Sequence, residues 1–127
     1  MMKQIIATNK APGAIGPYSQ GTSCDQLVFT SGQLGIDMET GKLAEGVEAQ
    51  ARVSMRNVGE ILKAAGASYG DVIKTTIFVK DLADFQTVNM VYAQFFDGDY
   101  PARSCVQVAA LPMGGLVEIE AVALVEA

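Results

Sequence analysis

Hydrophobic and polar positions along this chain follow two periods, and the changes between them mark the elements. Lys3 to Ala7 is a short apolar run that predicts a first strand. Pro12 to Gly21 reads as loop, with Pro12-Gly13 and Gly16-Pro17 as turn markers. Leu27-Val28-Phe29-Thr30-Ser31 is β-branched and aromatic, which suits a strand, and Gly32 closes it. Ile36 to Leu43 reads as a hairpin with Glu39-Thr40-Gly41-Lys42 at its tip.

The period then lengthens. Ala51, Met55, Val58, Leu62 and Ala65 recur at steps of four and three, which puts them on one helical face. Arg52, Arg56, Glu60 and Lys63 point elsewhere, and Gly66 is placed to stop the helix. Val72 to Lys80 is a β-branched run suited to a central strand. Asp84 is placed to cap a second helix in which Phe85, Val88, Tyr92 and Phe95 share a face, and Pro101 ends the loop after it. Ser104 to Ala109 and Val117 to Val125 read as the last two strands, separated by the turn Pro112-Met113-Gly114-Gly115.

This order predicts an α+β fold with two helices on one face of a sheet. Two helices cover only one side. The last strand places Val122 and Leu124 opposite Ile119 and Ala121, so the uncovered face is partly apolar and an oligomer is expected. No linker, repeat or low-complexity tract divides the chain, and residues 1–127 are expected to form one domain.

Composition narrows the chemistry. Half of the 127 residues are hydrophobic and 18% are charged, which is ordinary for a globular protein. No apolar run approaches the roughly 20 residues that span a bilayer. Met1-Met2-Lys3-Gln4 leads into no signal-peptide core, so a cytoplasmic protein is expected. Nine basic against fourteen acidic residues leave a net charge of −5, which opposes binding to nucleic acid or an anionic membrane. There is no histidine. Its absence removes Ser-His-Asp and Cys-His catalysis, two-histidine ribonuclease chemistry and nearly all zinc and non-haem iron sites. Cys24 and Cys105 are far apart and form no C-x-x-C pair, so no metal is expected.

Few side chains remain for chemistry. Arg103 follows Pro101-Ala102 at the mouth of a strand, where a stiff turn can fix its direction. A fixed guanidinium suits bidentate capture of a carboxylate, although a structural salt bridge or a helix cap would use it equally well. Glu118 and Glu120 stand two apart in an apolar strand and share a face. Such charges commonly mark a solvated face, yet a partly desolvated glutamate has a raised pKa and can move protons near neutrality. Cys105 shares a strand face with Arg103 and reads either as a small buried thiol or as a nucleophile beside a cation. Tyr18, Ser31 and Asn89 sit at loop, strand-end and helix positions where a structural reading also suffices. Gly13, Gly16 and Gly21 match neither a P-loop nor a dinucleotide fingerprint, so no nucleotide is assigned.

Six segments, taken in order, carry a resemblance. They are Ala14-Ile15-Gly16-Pro17-Tyr18-Ser19-Gln20, Thr30-Ser31-Gly32-Gln33, Phe78-Val79-Lys80-Asp81-Leu82, Val88-Asn89, Pro101-Ala102-Arg103-Ser104-Cys105-Val106 and Glu118-Ile119-Glu120-Ala121. Together they closely resemble the Rid family of reactive intermediate deaminases, also called the YjgF family, from about Ile5 to Val125.

The resemblance implies a chorismate-mutase-like (YjgF-type) mixed sheet in a homotrimer with sites between subunits. It also implies cofactor-free hydrolysis of short 2-imino acids, such as 2-iminobutanoate and 2-iminopropanoate, to 2-keto acids and ammonia. By the same resemblance, Arg103 clamps the substrate carboxylate and Glu118 manages the attacking water, with Glu120 structural. Tyr18 closes the pocket from the neighbouring subunit, and Ser31, Gly32, Asn89 and Cys105 line it. The rival expectations are an endoribonuclease or translation inhibitor, and a non-catalytic trimer that binds small keto or amino acids.

Overall fold

The computed structural model describes residues 2–126, which build a seven-stranded mixed sheet with two helices packed on one face. The strands are β1 (Gln4–Ile6), β2 (Gly21–Cys24), β3 (Leu27–Thr30), β4 (Gln33–Leu34), β5 (Val72–Val79), β6 (Ala102–Gln107) and β7 (Val117–Leu124). The helices are α1 (Gly46–Ala64) and α2 (Phe85–Ala93). Across the sheet the order is β1-β2-β3-β7-β5-β6, with β4 also pairing β7. β5 and β6 run parallel, joined by a crossover through α2, and the other pairs are antiparallel. This is the α+β arrangement that the hydrophobic pattern predicts.

α1 buries Ala51, Met55, Val58, Ile61 and Leu62 against the sheet, the stripe that the four-and-three spacing requires. It stops where expected. Gly66 takes φ 82°, its N–H donates to the Lys63 carbonyl at 3.0 Å, and the Ala67 N–H reaches back to Leu62 at 2.8 Å. That double bond pattern is a Schellman cap, which needs a left-handed residue that glycine adopts without steric cost. β7 alternates strictly, with Val117, Ile119, Ala121 and Ala123 buried and Glu118, Glu120, Val122 and Leu124 on the other face. β5 matches it through Ile77 and Val79. A bulge at Ile73 shifts its phase, so Val72 and Thr75 both enter the core although they are three apart. Each Val, Leu, Ile or Met side chain buried this way contributes about 1.5–3 kcal/mol, and a one-residue slip of β7 would expose its whole buried set. The face away from the helices carries exposed Leu27, Phe29, Val106 and Leu124, as the uncovered-face argument expects.

Several local expectations need correction. Asp84 does occupy the N-cap of α2, but its side chain makes no capping bond. Asp81 does so instead, accepting from the Ala83 N–H at 2.9 Å at the start of a short turn over Leu82–Asp84. The Ile36–Leu43 hairpin forms one antiparallel bridge rather than a ladder, because Asp37 and Lys42 close the turn at once. β6 begins at Ala102, two residues before the expected start at Ser104. β2 and β4 carry no period of their own, being polar and two residues long respectively, and their neighbours place them.

Candidate functional site

Arg103 leaves β6 on the helix-covered face, in register with Thr75 of β5. Its guanidinium lies 5.4 Å from the Phe85 ring centre and 5.2 Å from that of Tyr92, both on α2. Both rings lie within cation–π range, which attracts the guanidinium charge to the ring faces. Asn89, one turn along α2, accepts from Nη1 at 2.6 Å. Tyr92 is itself fixed by a 2.7 Å bond between its hydroxyl and Thr75. Among the described residues the one ion pair is Arg52 with Glu48, so Arg103 has no acid beside it. The salt-bridge reading of Arg103 thus finds no partner among the described residues of its own chain. An aimed, half-buried cation with no internal counter-charge is suited to an anion from outside. Asn89 is half-buried and bonded to that cation rather than facing solvent.

Cys105 sits two residues along the same strand face, half-buried. Burial pushes its thiol pKa up, and Arg103 only partly opposes this. The thiol is thus kept protonated and is a poor nucleophile.

Glu118 lies on the other face, in a cavity of about 590 Å³. Tyr18, Ser31 and Gly32 line the same cavity, together with apolar Ile15, Met38 and Met113. Burial, helped by the like charge of Glu120, raises the Glu118 carboxyl above the ordinary carboxylate range. Gly32 explains how the carboxyl fits. A methyl group at residue 32 would lie 2.8 Å from Glu118 Cδ and 3.0 Å from Oε1, so only glycine leaves that space. Ser31 is held by its own hydroxyl, which donates to the Ser19 carbonyl at 2.6 Å. The Tyr18 hydroxyl accepts from the Ile15 N–H at 3.3 Å, folding the loop over one side of the cavity.

The walls are loops, and buried amides hold them. Gln20 donates to the carbonyls of Thr8, Ala11 and Pro12 at 3.1, 3.2 and 2.7 Å, and accepts from the Thr8 N–H at 2.7 Å. On α1, Ser54 donates to Gln33, and Asn57 to Leu34 and Ile36, tying the cavity floor to the helix. Gln50 donates to the Ala44 carbonyl and accepts from the Leu116 N–H, tying α1 to the chain segments that follow two of the lining loops. The sequence reading gives none of these four residues a role. A signal was present: Gln50, Ser54 and Asn57 fall on the buried stripe of α1, where a polar residue needs a partner.

The predicted site residues thus fall into two groups. Tyr18, Ser31, Gly32 and Glu118 come together around one cavity, while Arg103, Asn89 and Cys105 come together beneath α2. Strand register places the two groups on opposite faces of the sheet, and one chain does not join them.

Comparison with known proteins follows this geometry. The chain matches the family described as Endoribonuclease L-PSP over residues 8–125. It is 54% identical to the 2-iminobutanoate/2-iminopropanoate deaminase of Salmonella typhimurium, covering 97% of this chain and 98% of that one. The human protein of the same name is 50% identical over 98% of this chain and 91% of its own. The crystal structure of Escherichia coli TdcF with bound serine superposes with a TM-score of 0.93 at 53% identity, covering 97% of this chain and 99% of that one. No helix among the described residues is long and apolar enough to cross a membrane.

Proposed function

Because this chain belongs to the Endoribonuclease L-PSP family, which is the Rid or YjgF family of reactive intermediate deaminases, we infer that it is a 2-iminobutanoate/2-iminopropanoate deaminase. It hydrolyses short 2-imino acids to 2-keto acids and ammonia, and on this reading it works in the cytoplasm. The observation that carries the mechanism is the division of the site. A fixed cation without a counter-ion in its own chain stands on one sheet face, and a carboxyl whose pKa is raised by burial stands in a cavity on the other.

The two halves meet if one protomer supplies Arg103 and its partner supplies Glu118. We place the site between subunits of a homotrimer, and the exposed Leu27, Phe29, Val106 and Leu124 support burial of the open face by other copies. Arg103 holds the substrate carboxylate by two parallel N–H···O bonds, while Asn89 and the two rings keep the fork aimed. The protonated imine carbon then lies toward Glu118. Glu118 takes a proton from water as its oxygen bonds to that carbon, giving a carbinolamine. The same carboxyl returns the proton to nitrogen, the C–N bond breaks with its electron pair leaving on ammonia, and the hydroxyl proton passes to the Glu118 carboxylate and from there to the ammonia. The products are the keto acid and ammonium. Iminium carbon is already electrophilic, so positioning and one acid–base group suffice. Tyr18 closes the cavity, with Ser31 and Gly32 shaping its floor.

A binding-only role is the second reading, favoured by the serine held in the Escherichia coli TdcF structure. Turnover separates the two. Added to a threonine dehydratase, the protein should accelerate release of 2-ketobutyrate. Arg103→Lys should lose roughly 10–100-fold in kcat/KM, because a point ammonium cannot make two parallel bonds. Saturable binding without acceleration would leave a binding module, and a full rate in Arg103→Lys would remove the fork from the mechanism.

A further inference from the structure

Two non-glycine residues among those described have left-handed backbone, Asp25 at φ 53° and Met113 at φ 60°. Asp25 is accounted for by its place in the tight turn between β2 and β3, and aspartate tolerates that region. Met113 is different. Its Cβ crowds the backbone at this φ, and its side chain has no polar atom to offer the compensating local bond available to Asn or Asp. It sits in the Pro112–Gly114 turn before β7. Packing within the chain does not offset the strain, because Met113 is 56% exposed. What the conformation achieves is placement, since Met113 lines the cavity that holds Glu118.

Ile15 and Met38, also exposed, reach the same cavity from two other loops. Three apolar side chains from three loops thus stand beside the Glu118 carboxyl. In the single chain the cavity measures about 590 Å³, within the roughly 300–1,000 Å³ of small-molecule pockets. Methionine adapts its shape to apolar ligands of varied length.

We propose that Met113, with Ile15 and Met38, forms the wall that receives the substrate's aliphatic side chain. Met113 is then a specificity-determining residue that favours longer unbranched 2-imino acids over 2-iminopropanoate. This inference rests on the deaminase reading above. It follows from a strained, exposed methionine in the Glu118 cavity.

The test is a chain-length series. An amino-acid oxidase generates imino acids in place from alanine, 2-aminobutyrate, norvaline and norleucine, and a trapping amine measures how fast each disappears. The native protein should show kcat/KM rising along the series. Met113→Gly accepts the left-handed backbone and deletes the side chain. Its kcat/KM on the norleucine-derived substrate, relative to that on the alanine-derived one, should fall about 10-fold or more, since one methylene in an apolar pocket is worth about 10–200-fold. Met113→Leu should keep the native preference. An unchanged ratio in Met113→Gly would overturn the inference, and an accompanying fall in melting temperature would make Met113 structural. A flat native series would overturn it too. Absence of acceleration on every substrate would instead bring down the deaminase reading, and this inference with it.

Discussion

Arg103 and Glu118 are held in place by opposite materials, although both arise from one sheet. Arg103 is gripped by regular elements: a strand beneath it, two aromatic rings and an amide from one helix above it. Glu118 also starts on a strand, but its surroundings are loops, pinned from behind by Gln20, Gln50, Ser54 and Asn57. A guanidinium is charged at every working pH and needs only aim, which rigid elements provide. A carboxyl that must hold and release a proton needs a partly dry surround, and loops can shape one around a ligand.

The hardest test of that comparison asks whether two half-sites, each inert alone, make a whole one. Glu118→Gln should lose about 10²–10⁴-fold in rate through loss of its acid–base group. Arg103→Ala should also be nearly inactive. Equimolar mixing of the two, with subunit exchange, pairs an intact Arg103 side with an intact Glu118 side at about one interface in four if protomers assort at random. About a quarter of native activity should return. A mixture that stays inactive after verified exchange would place both residues in a single-chain site, or neither in the site.

Misfolding would not explain the Glu118→Gln loss. The folded carboxyl has a pKa above its unfolded value. Its stabilising contribution is therefore complete below the unfolded pKa and disappears as pH rises through the raised folded value. At neutral pH Glu118→Gln should melt no lower than the native protein.

A smaller effect sharpens the contrast within the Glu118 half. In Gly32→Ala the added methyl meets the mobile end of Glu118 at 2.8 Å, so the carboxyl swings aside while the backbone stays. Melting temperature should change little. Activity should fall by up to about 100-fold, the penalty for displacing a catalytic group by about an ångström. Loss of folding along with activity would show that Gly32 serves the backbone rather than the carboxyl.

The contrast also explains what the sequence made legible. α1, α2, β5 and β7 were readable because burial on one face imposes a period, and Arg103 stood out because a stiff turn leads into its strand. Glu118 was visible as a charge in an apolar run, but periodicity offered no way to tell a solvated face from a cavity. The cavity walls come from loops whose positions depend on buried amide contacts between distant residues, such as Gln50 with Leu116. Neither composition nor spacing encodes those contacts. Resemblance supplied what period could not, by drawing Tyr18, Ser31 and Gly32 into one site before any geometry linked them. It did not reveal that Asn89 serves Arg103, or that Met113 pays a conformational cost.

The smallest expected effect concerns Glu120, which shares the open face with Glu118 two residues away on β7. The other charged group on that face of the neighbouring strand, Lys74, is directed to the Ser104 hydroxyl at 3.1 Å. Glu120 is thus the charge within this chain that opposes ionisation of Glu118, second to burial as a cause of the raised pKa. Water activation requires the ionised carboxyl, so activity should fall on the acid side as Glu118 takes up its proton. Replacing Glu120 by neutral glutamine removes a like charge and makes ionisation easier. The acid limb of kcat/KM in Glu120→Gln should therefore move to lower pH, with the rate at higher pH unchanged. Arg103 is present in both proteins, so the difference between the two profiles isolates Glu120. An unmoved limb with a lower plateau would instead give Glu120 a direct part in the reaction, and movement to higher pH would take the limb away from Glu118.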